Sequence, residues 1–189
     1  SKSLQLVSFT ITEKGYALQK TDGTWFPFVE ADIQNKPDKA VGAMAVVTAM
    51  LYERYKAGKY PLALVSMDNC SKNGEKLREA VLTMTEAWRK AGFVEEGFAA
   101  YVSDEKTVAF PWTMIDKITP RPSEQIAEDL EKLGVEDMKP VITGKKTYIA
   151  PFVNAEKPQY LVIEDSFPNG RPALEKGVGV YMADRETVN

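Results

Sequence analysis

Hydrophobic positions along the chain follow two alternating periods. LQLVSFTIT (4–12) is nearly continuous in apolar or β-branched residues, which predicts a strand covered on both faces. The turn-rich stretch TDGTWFPFVEADIQNKPDK (21–39) reads as an excursion from the sheet. A helix is predicted from about Asp38 as N-cap, with Val41, Met44, Ala45, Thr48, Tyr52 and Tyr55 on one face and Gly58 and Pro61 ending it. LALVSM (62–67) predicts a second buried strand. A second helix follows from Ser71 or Asn73 to Lys90, since Leu77, Val81, Met84 and Trp88 repeat at helical spacing and Gly92 suits the C′ position. Strand, helix, strand, helix with short connections is the pattern of a parallel α/β sheet.

The second half is less regular. VAFPWTMIDKI (108–118) predicts a strand after Pro111, because a central strand does not tolerate proline. A short helix is expected over 123–133, with Ile126, Leu130 and Leu133 inward and Gly134 closing it. Segments 141–153 and 160–164 read as extended, and PNGRP (168–172) as a turn. The expectation is one domain over 1–189, an α/β first half followed by a mixed α+β second half.

Composition narrows the chemistry. The 189 residues are 44% hydrophobic and 27% charged, a globular balance. A net charge of −3 gives no electrostatic reason to expect nucleic acid or an anionic membrane as partner. No signal peptide or membrane span is legible. The one cysteine, Cys70, fits a reducing cytoplasm. Histidine is absent, which removes Ser-His-Asp and Cys-His nucleophile systems, His-ligated zinc and imidazole acid/base chemistry from these residues.

The best candidate for chemistry is VSMDNCSKNG (65–74), at the C-terminal end of an apolar strand and the start of a helix. Ligands of open α/β sheets gather at such junctions. Asn69 has the uncharged donors to hold a carbonyl oxygen, and Asp68 the acceptors for sugar or ribose hydroxyls. Equally, Asp68 and Asn69 serve the turn while Ser71 or Asn73 caps the helix. Thr10, Thr12 and Glu13 occupy the equivalent edge of the first strand if the two strands are parallel. Asp116, flanked by Ile115 and Ile118 in an apolar strand, must be paired or functional. Glu164 and Asp165 are adjacent in a strand and so face opposite ways, a poor acid/base or metal pair. Cys70 has no histidine partner and is expected to be an incidental thiol. No metal site is expected, and neither a G-x-G-x-x-G nor a Walker A motif is present.

VSFTITEKGY (7–16), SMDNCSKNG (66–74), FPWTMIDKITP (110–120) and YLVIEDSFPNGRPALEKGVGV (160–180) come in the order seen in polyol-specific long-chain dehydrogenases. That family includes mannitol 2-dehydrogenase, fructuronate reductase (mannonate oxidoreductase) and tagaturonate reductase. The resemblance covers nearly the whole chain in four blocks. It implies a partial Rossmann-like parallel sheet, the later part of an NAD(P)-binding domain. Family chains are much longer, with a glycine-rich βαβ unit before this stretch and a helical domain after it that carries a catalytic Lys, Asn and His.

Carried over by that resemblance, Asn69 matches the asparagine that holds the reacting carbonyl oxygen, a catalytic and cofactor- and substrate-side role. Thr12 and Glu13 lie in the block lining the cofactor crevice. Ile115 and Asp116 match the V-D pair of V-D-R-I on the cofactor and, for Asp116, substrate side. Here that motif reads I-D-K-I, and Lys117 lacks arginine's bidentate fork. The implied reaction is hydride transfer between NAD or NADP and a keto sugar acid, of fructuronate reductase type, with mannitol 2-dehydrogenase or tagaturonate reductase type as the alternative. The isolated chain is expected to be inactive, a structural or binding module, and to self-associate through a strand edge its neighbours would cover.

Overall fold

The computed structural model describes residues 1–116, 122–153 and 159–188, the Asp116 side chain excepted. By contacts the chain forms two compact units, Ser1–Ile115 with Leu161–Asn189, and Asp116–Tyr160. In the first, β1 (Leu6–Phe9), β2 (Leu62–Ser66) and β3 (Val108–Ala109) form a parallel sheet in that order. Register pairs Leu6 with Ala63 and Phe9 with Ser66, so β1 and β2 end side by side. Every residue of β2 is buried, as its continuous apolar run requires. β1 departs from expectation: it is shorter than 4–12 and only half-buried, because it is the edge of this sheet.

Helices α1 (Pro27–Gln34), α2 (Ala43–Lys56), α3 (Asn73–Lys90) and α4 (Glu96–Ser103) complete the core. On α3, Leu77, Val81, Met84 and Trp88 are essentially inaccessible, each worth about 1.5–3 kcal/mol of burial. The indole N–H of Trp88 donates to the Asp32 carbonyl at 2.9 Å, so that buried donor is satisfied. The helix ends as its Gly92 predicts. Gly92, at φ 75°, donates to Arg89 O and Phe93 donates to Trp88 O, a complete Schellman closure. Tyr52, Tyr55, Phe98 and Tyr101 pack as one aromatic cluster between α2 and α4.

The start of α2 corrects the sequence reading. Asp38 sits in a separate 3-10 turn, Pro37–Lys39, and α2 begins at Ala43 with Gly42 as N-cap. Val41 precedes the helix and is 82% exposed. The turn into the helix is held from α1: buried Asp32 accepts from Val41 N and Gly42 N, both at 2.8 Å. Arg54 on α2 is also buried, donating to the carbonyls of Ser1, Leu4, Tyr60 and Pro61 and so tying the N-terminal segment to the sheet.

Beyond Pro111, β4 (Thr113–Asp116), β7 (Tyr160–Glu164) and β8 (Val180–Ala183) form a second sheet in the order β4-β7-β8, with β7 and β8 parallel. Helix α6 (Arg185–Val188) follows. The other unit holds α5 (Glu124–Lys132) and an antiparallel pair, β5 (Val141–Ile142) and β6 (Tyr148–Ile149). Ser123 and Leu133 cap α5 and Gly134 closes it at φ 86°, as expected. Ile126 and Leu133 are exposed instead of inward, and α5 contributes no buried residue.

The approach of α3 to the strand connection explains Gly74. A Cβ there would lie 2.5 Å from Phe110 O and 2.5 Å from Trp112 Cδ1. Gly74→Ala is therefore expected to destabilise the protein by about 1–3 kcal/mol despite alanine's better helix propensity. A urea transition that stays at the wild-type midpoint would refute this packing.

Candidate functional site

The C-terminal end of β2 is fixed by Asn73, the first residue of α3. Its side chain is fully buried. Nδ2 donates to Asp68 O at 3.0 Å, Thr113 O at 3.0 Å and Thr113 Oγ1 at 2.8 Å. Oδ1 accepts from Thr113 N at 3.0 Å and Gly74 N at 2.7 Å. Thr113 Oγ1 in turn donates to Ser66 O at 2.6 Å. One amide thus ties the end of β2, the start of α3 and the start of β4. The helix N-cap is Lys72, at φ 56°, and neither Ser71 nor Asn73.

Asp68 forms the second half of this junction. Its carboxylate accepts from Ile11 N at 3.0 Å, Thr12 N at 2.7 Å and the Tyr16 hydroxyl. Ser66 Oγ lies 2.6 Å from Tyr16 Oη and accepts from Asp68 N at 3.3 Å. The side chain is buried with its acceptors occupied, so Asp68 shapes the turn and is not open to ribose or sugar hydroxyls. Burial alone would raise its pKa. Hydrogen bonds from Tyr16, Ile11, Thr12 and Ser66 outweigh that and hold the carboxyl below its usual range. Tyr16 is pushed up, first by burial and then by its bond to Asp68.

Asn69 follows directly. It is exposed and has no hydrogen-bond partner among the described residues. With Cys70, Ser71, Lys72, Trp112, Thr113, Met114 and Val188 it lines a cavity of about 140 Å³. Among the described residues, two cations lie over Trp112, with Lys72 Nζ 5.9 Å and the Arg185 guanidinium 5.7 Å from its ring. Sequence reasoning carried Tyr16, Lys72 and Trp112 only as members of quoted motifs and singled out none of them. Burial pushes the Cys70 thiol up despite nearby Lys76, so it has no enhanced thiolate character.

Thr12 is brought to the same junction by its backbone and adopts φ 66°, ψ 157°, a region nearly reserved for glycine. Glu13 is exposed and pairs with Lys76 at 2.5 Å on a different cavity of about 380 Å³, lined also by Tyr16, Trp25 and Glu79. Ile115 sits half-buried in β4. The Asp116 side chain, Lys117 and Ile118, the rest of the I-D-K-I motif, lie outside the described residues.

Glu164 and Asp165 diverge as expected. Buried Glu164 accepts from Trp112 N and Arg185 Nε, both at 3.0 Å. Arg171 bridges Asp165 and Glu175 at 2.7 and 2.6 Å, holding the Asp165 carboxyl below its usual range, so the G-R-P arginine has a structural role. Among the described residues no group of histidine, cysteine or carboxylates is placed to hold a metal, and no helix is long and apolar enough to cross a membrane.

The Asp68 shift has a consequence for stability. A carboxyl whose pKa is depressed by folding adds stability above its unfolded value, about 3.9, and loses it as pH falls through the lower folded value. Asp68→Asn is expected to cost about 1–3 kcal/mol at pH 7, with the gap to wild type closing below about pH 4. Urea midpoints across that range test it, and a gap independent of pH would contradict it.

Comparison with known proteins places this geometry. Residues 2–176 match the mannitol dehydrogenase Rossmann domain. The D-mannonate oxidoreductase of Thermotoga maritima is 57% identical over 187 residues, 98% of this chain and 34% of that protein. A substrate-free D-sorbitol dehydrogenase structure superposes with TM-score 0.68 at 33% identity, covering 98% of this chain and 35% of the other. The Pseudomonas fluorescens mannitol 2-dehydrogenase, solved with NAD and D-mannitol, gives 0.66 at 29% identity, covering 99% of this chain and 34% of the other. The chain therefore spans about a third of the length of the relatives it matches, and its parallel α/β fold is Rossmann-type. On the match over residues 2–176, the chain belongs to the mannitol dehydrogenase family, within that family's Rossmann domain.

Proposed function

We propose that these residues form part of an NAD(P)-dependent oxidoreductase that interconverts a keto sugar acid and its hydroxy acid, of the mannonate oxidoreductase type. The observation that carries the mechanism is Asn69, an unpaired amide presented at the C-terminal end of β2 beside the rigid Asp68–Asn73 junction. The substrate class rests on the 57% identity to the Thermotoga maritima D-mannonate oxidoreductase. A polyol substrate is the alternative, in line with the two solved relatives.

The residues present suit the nicotinamide end of a dinucleotide: β1 and β2 are parallel and end together, and Thr12 and Glu13 follow at that edge. The sequence carries no glycine-rich loop for the pyrophosphate, so that contact is assigned outside these 189 residues. When bound, the dinucleotide supplies or accepts the hydride. The Asn69 amide would donate to the substrate oxygen, where negative charge develops as the carbonyl is reduced. Thr12, Glu13, Ile115 and Asp116 would belong to the cofactor side of the site, and Asp116 to the substrate side as well. The proton is exchanged by a lysine outside these residues. No metal is assigned a role. We place the reaction in the cytoplasm, which the single thiol suits.

In the full-length enzyme, Asn69→Ala is expected to lower kcat by roughly 10²-fold or more. An assay at 340 nm with fructuronate, tagaturonate and fructose, each with NADH and NADPH, would rank the substrates. Wild-type turnover by the variant would remove Asn69 from the mechanism, and preference for fructose would overturn the sugar-acid reading. The isolated chain is expected to turn over none of them. We also propose that it self-associates, because β1 is a sheet edge beside an apolar cavity of about 340 Å³ lined by Leu4, Val7, Val47 and Met50. A monomer at high concentration by light scattering would count against that.

A further inference from the structure

Asp68 is held from both ends. Its carboxylate gathers three donors from the loop after β1, namely Ile11 N–H, Thr12 N–H and the Tyr16 hydroxyl. Its carbonyl accepts from Asn73 Nδ2 at 3.0 Å and Cys70 N at 2.9 Å. The peptide leaving Asp68 is the one that enters Asn69. The exposed amide therefore stands on a backbone fixed by a buried carboxylate on one side and a buried amide on the other. The same carboxylate keeps Thr12 at φ 66°, ψ 157°, which a β-branched residue does not hold unaided.

We propose that Asp68 is a positioning residue for hydride transfer: by clamping the Ile11–Thr12 backbone and the Tyr16 hydroxyl, it sets the place from which Asn69 meets the substrate oxygen. This rests on the reading that Asn69 makes that contact. An Asn at this position offers one acceptor oxygen and two N–H groups to three converging donors. Because Ile11 N–H reaches both carboxylate oxygens, at 3.1 and 3.0 Å, it faces the amide NH2 in either orientation, the Thr12 turn relaxes, and Asn69 moves with it. A shift of about 1 Å at such a group costs on the order of 10²-fold in rate.

The test uses the full-length enzyme with Asp68→Asn, Asn69→Ala, the double variant and Tyr16→Phe. It measures kcat, KM and the primary deuterium isotope effect on kcat with deuterated reduced dinucleotide. Asp68→Asn should lower kcat by roughly 10²-fold and raise the isotope effect, because hydride transfer becomes slower relative to the other steps. Added to Asn69→Ala, it should change kcat by no more than about twofold, since both act on one contact. A loss that only tracks the folded fraction, with a wild-type isotope effect, means a structural role and overturns the proposal. If Asn69→Ala is impaired and Asp68→Asn is not, the proposal fails while the Asn69 reading stands. If Asn69→Ala keeps full turnover, the reading fails and takes the proposal with it. Should Asp68→Asn not fold, Tyr16→Phe decides: a raised isotope effect supports the positioning role, and an unchanged one overturns it.

Discussion

The buried side-chain amide of Asn73 is the contact on which the arrangement depends. A parallel sheet leaves the C-terminal ends of its strands with backbone groups that must find partners away from the ladder. Here β2 stops at Ser66 and the chain turns into α3 within a few residues. Asn73 bonds both the turn and β4, using donors and acceptor together. A hydrophobic residue in its place would strand several backbone groups, each costing about 1–3 kcal/mol. Gly74 follows from the same geometry: α3 comes so close to the Phe110–Trp112 connection that no Cβ fits.

On the proposed reading of Asn69, rigidity at this junction has a chemical use. An amide that steadies a developing oxyanion contributes most when it is already in place and need not reorganise during the reaction. Asn73 and Asp68 take up the polar backbone around the turn and leave Asn69 unpaired at its rim. Nearby charges are arranged with similar economy. Glu164 is buried but satisfied by Trp112 N and Arg185, and Arg185 and Lys72 both lie against the Trp112 ring.

Much of this was legible in the sequence where the signal was local. The continuous apolar run of β2 and the Leu77, Val81, Met84, Trp88 repeat of α3 marked both elements, and Gly92 marked the end of α3. Helices α1 and α4 escaped because each has only eight residues, and α1 opens with Pro27 among aromatics that read as a turn. The start of α2 was misplaced because the carboxylate that holds the turn into it, Asp32, comes from another element. The inward face expected for α5 is amphipathic in sequence but meets no core. Asn69 was singled out as a candidate from its place at a strand-to-helix junction. That Asp68 shapes the turn was also among the readings, but the partners of Asp68 and Asn73 were not legible, since Ile11, Thr12 and Thr113 are 40 or more residues away in the chain.

The most direct test of the account is a structure of the full-length enzyme with dinucleotide and a substrate analogue bound. Asn69 Nδ2 is expected within hydrogen-bonding distance, roughly 3 Å, of the reacting oxygen, with Asp68 still holding Ile11 and Thr12. Asn69 turned away from that oxygen while both ligands are in place would contradict it.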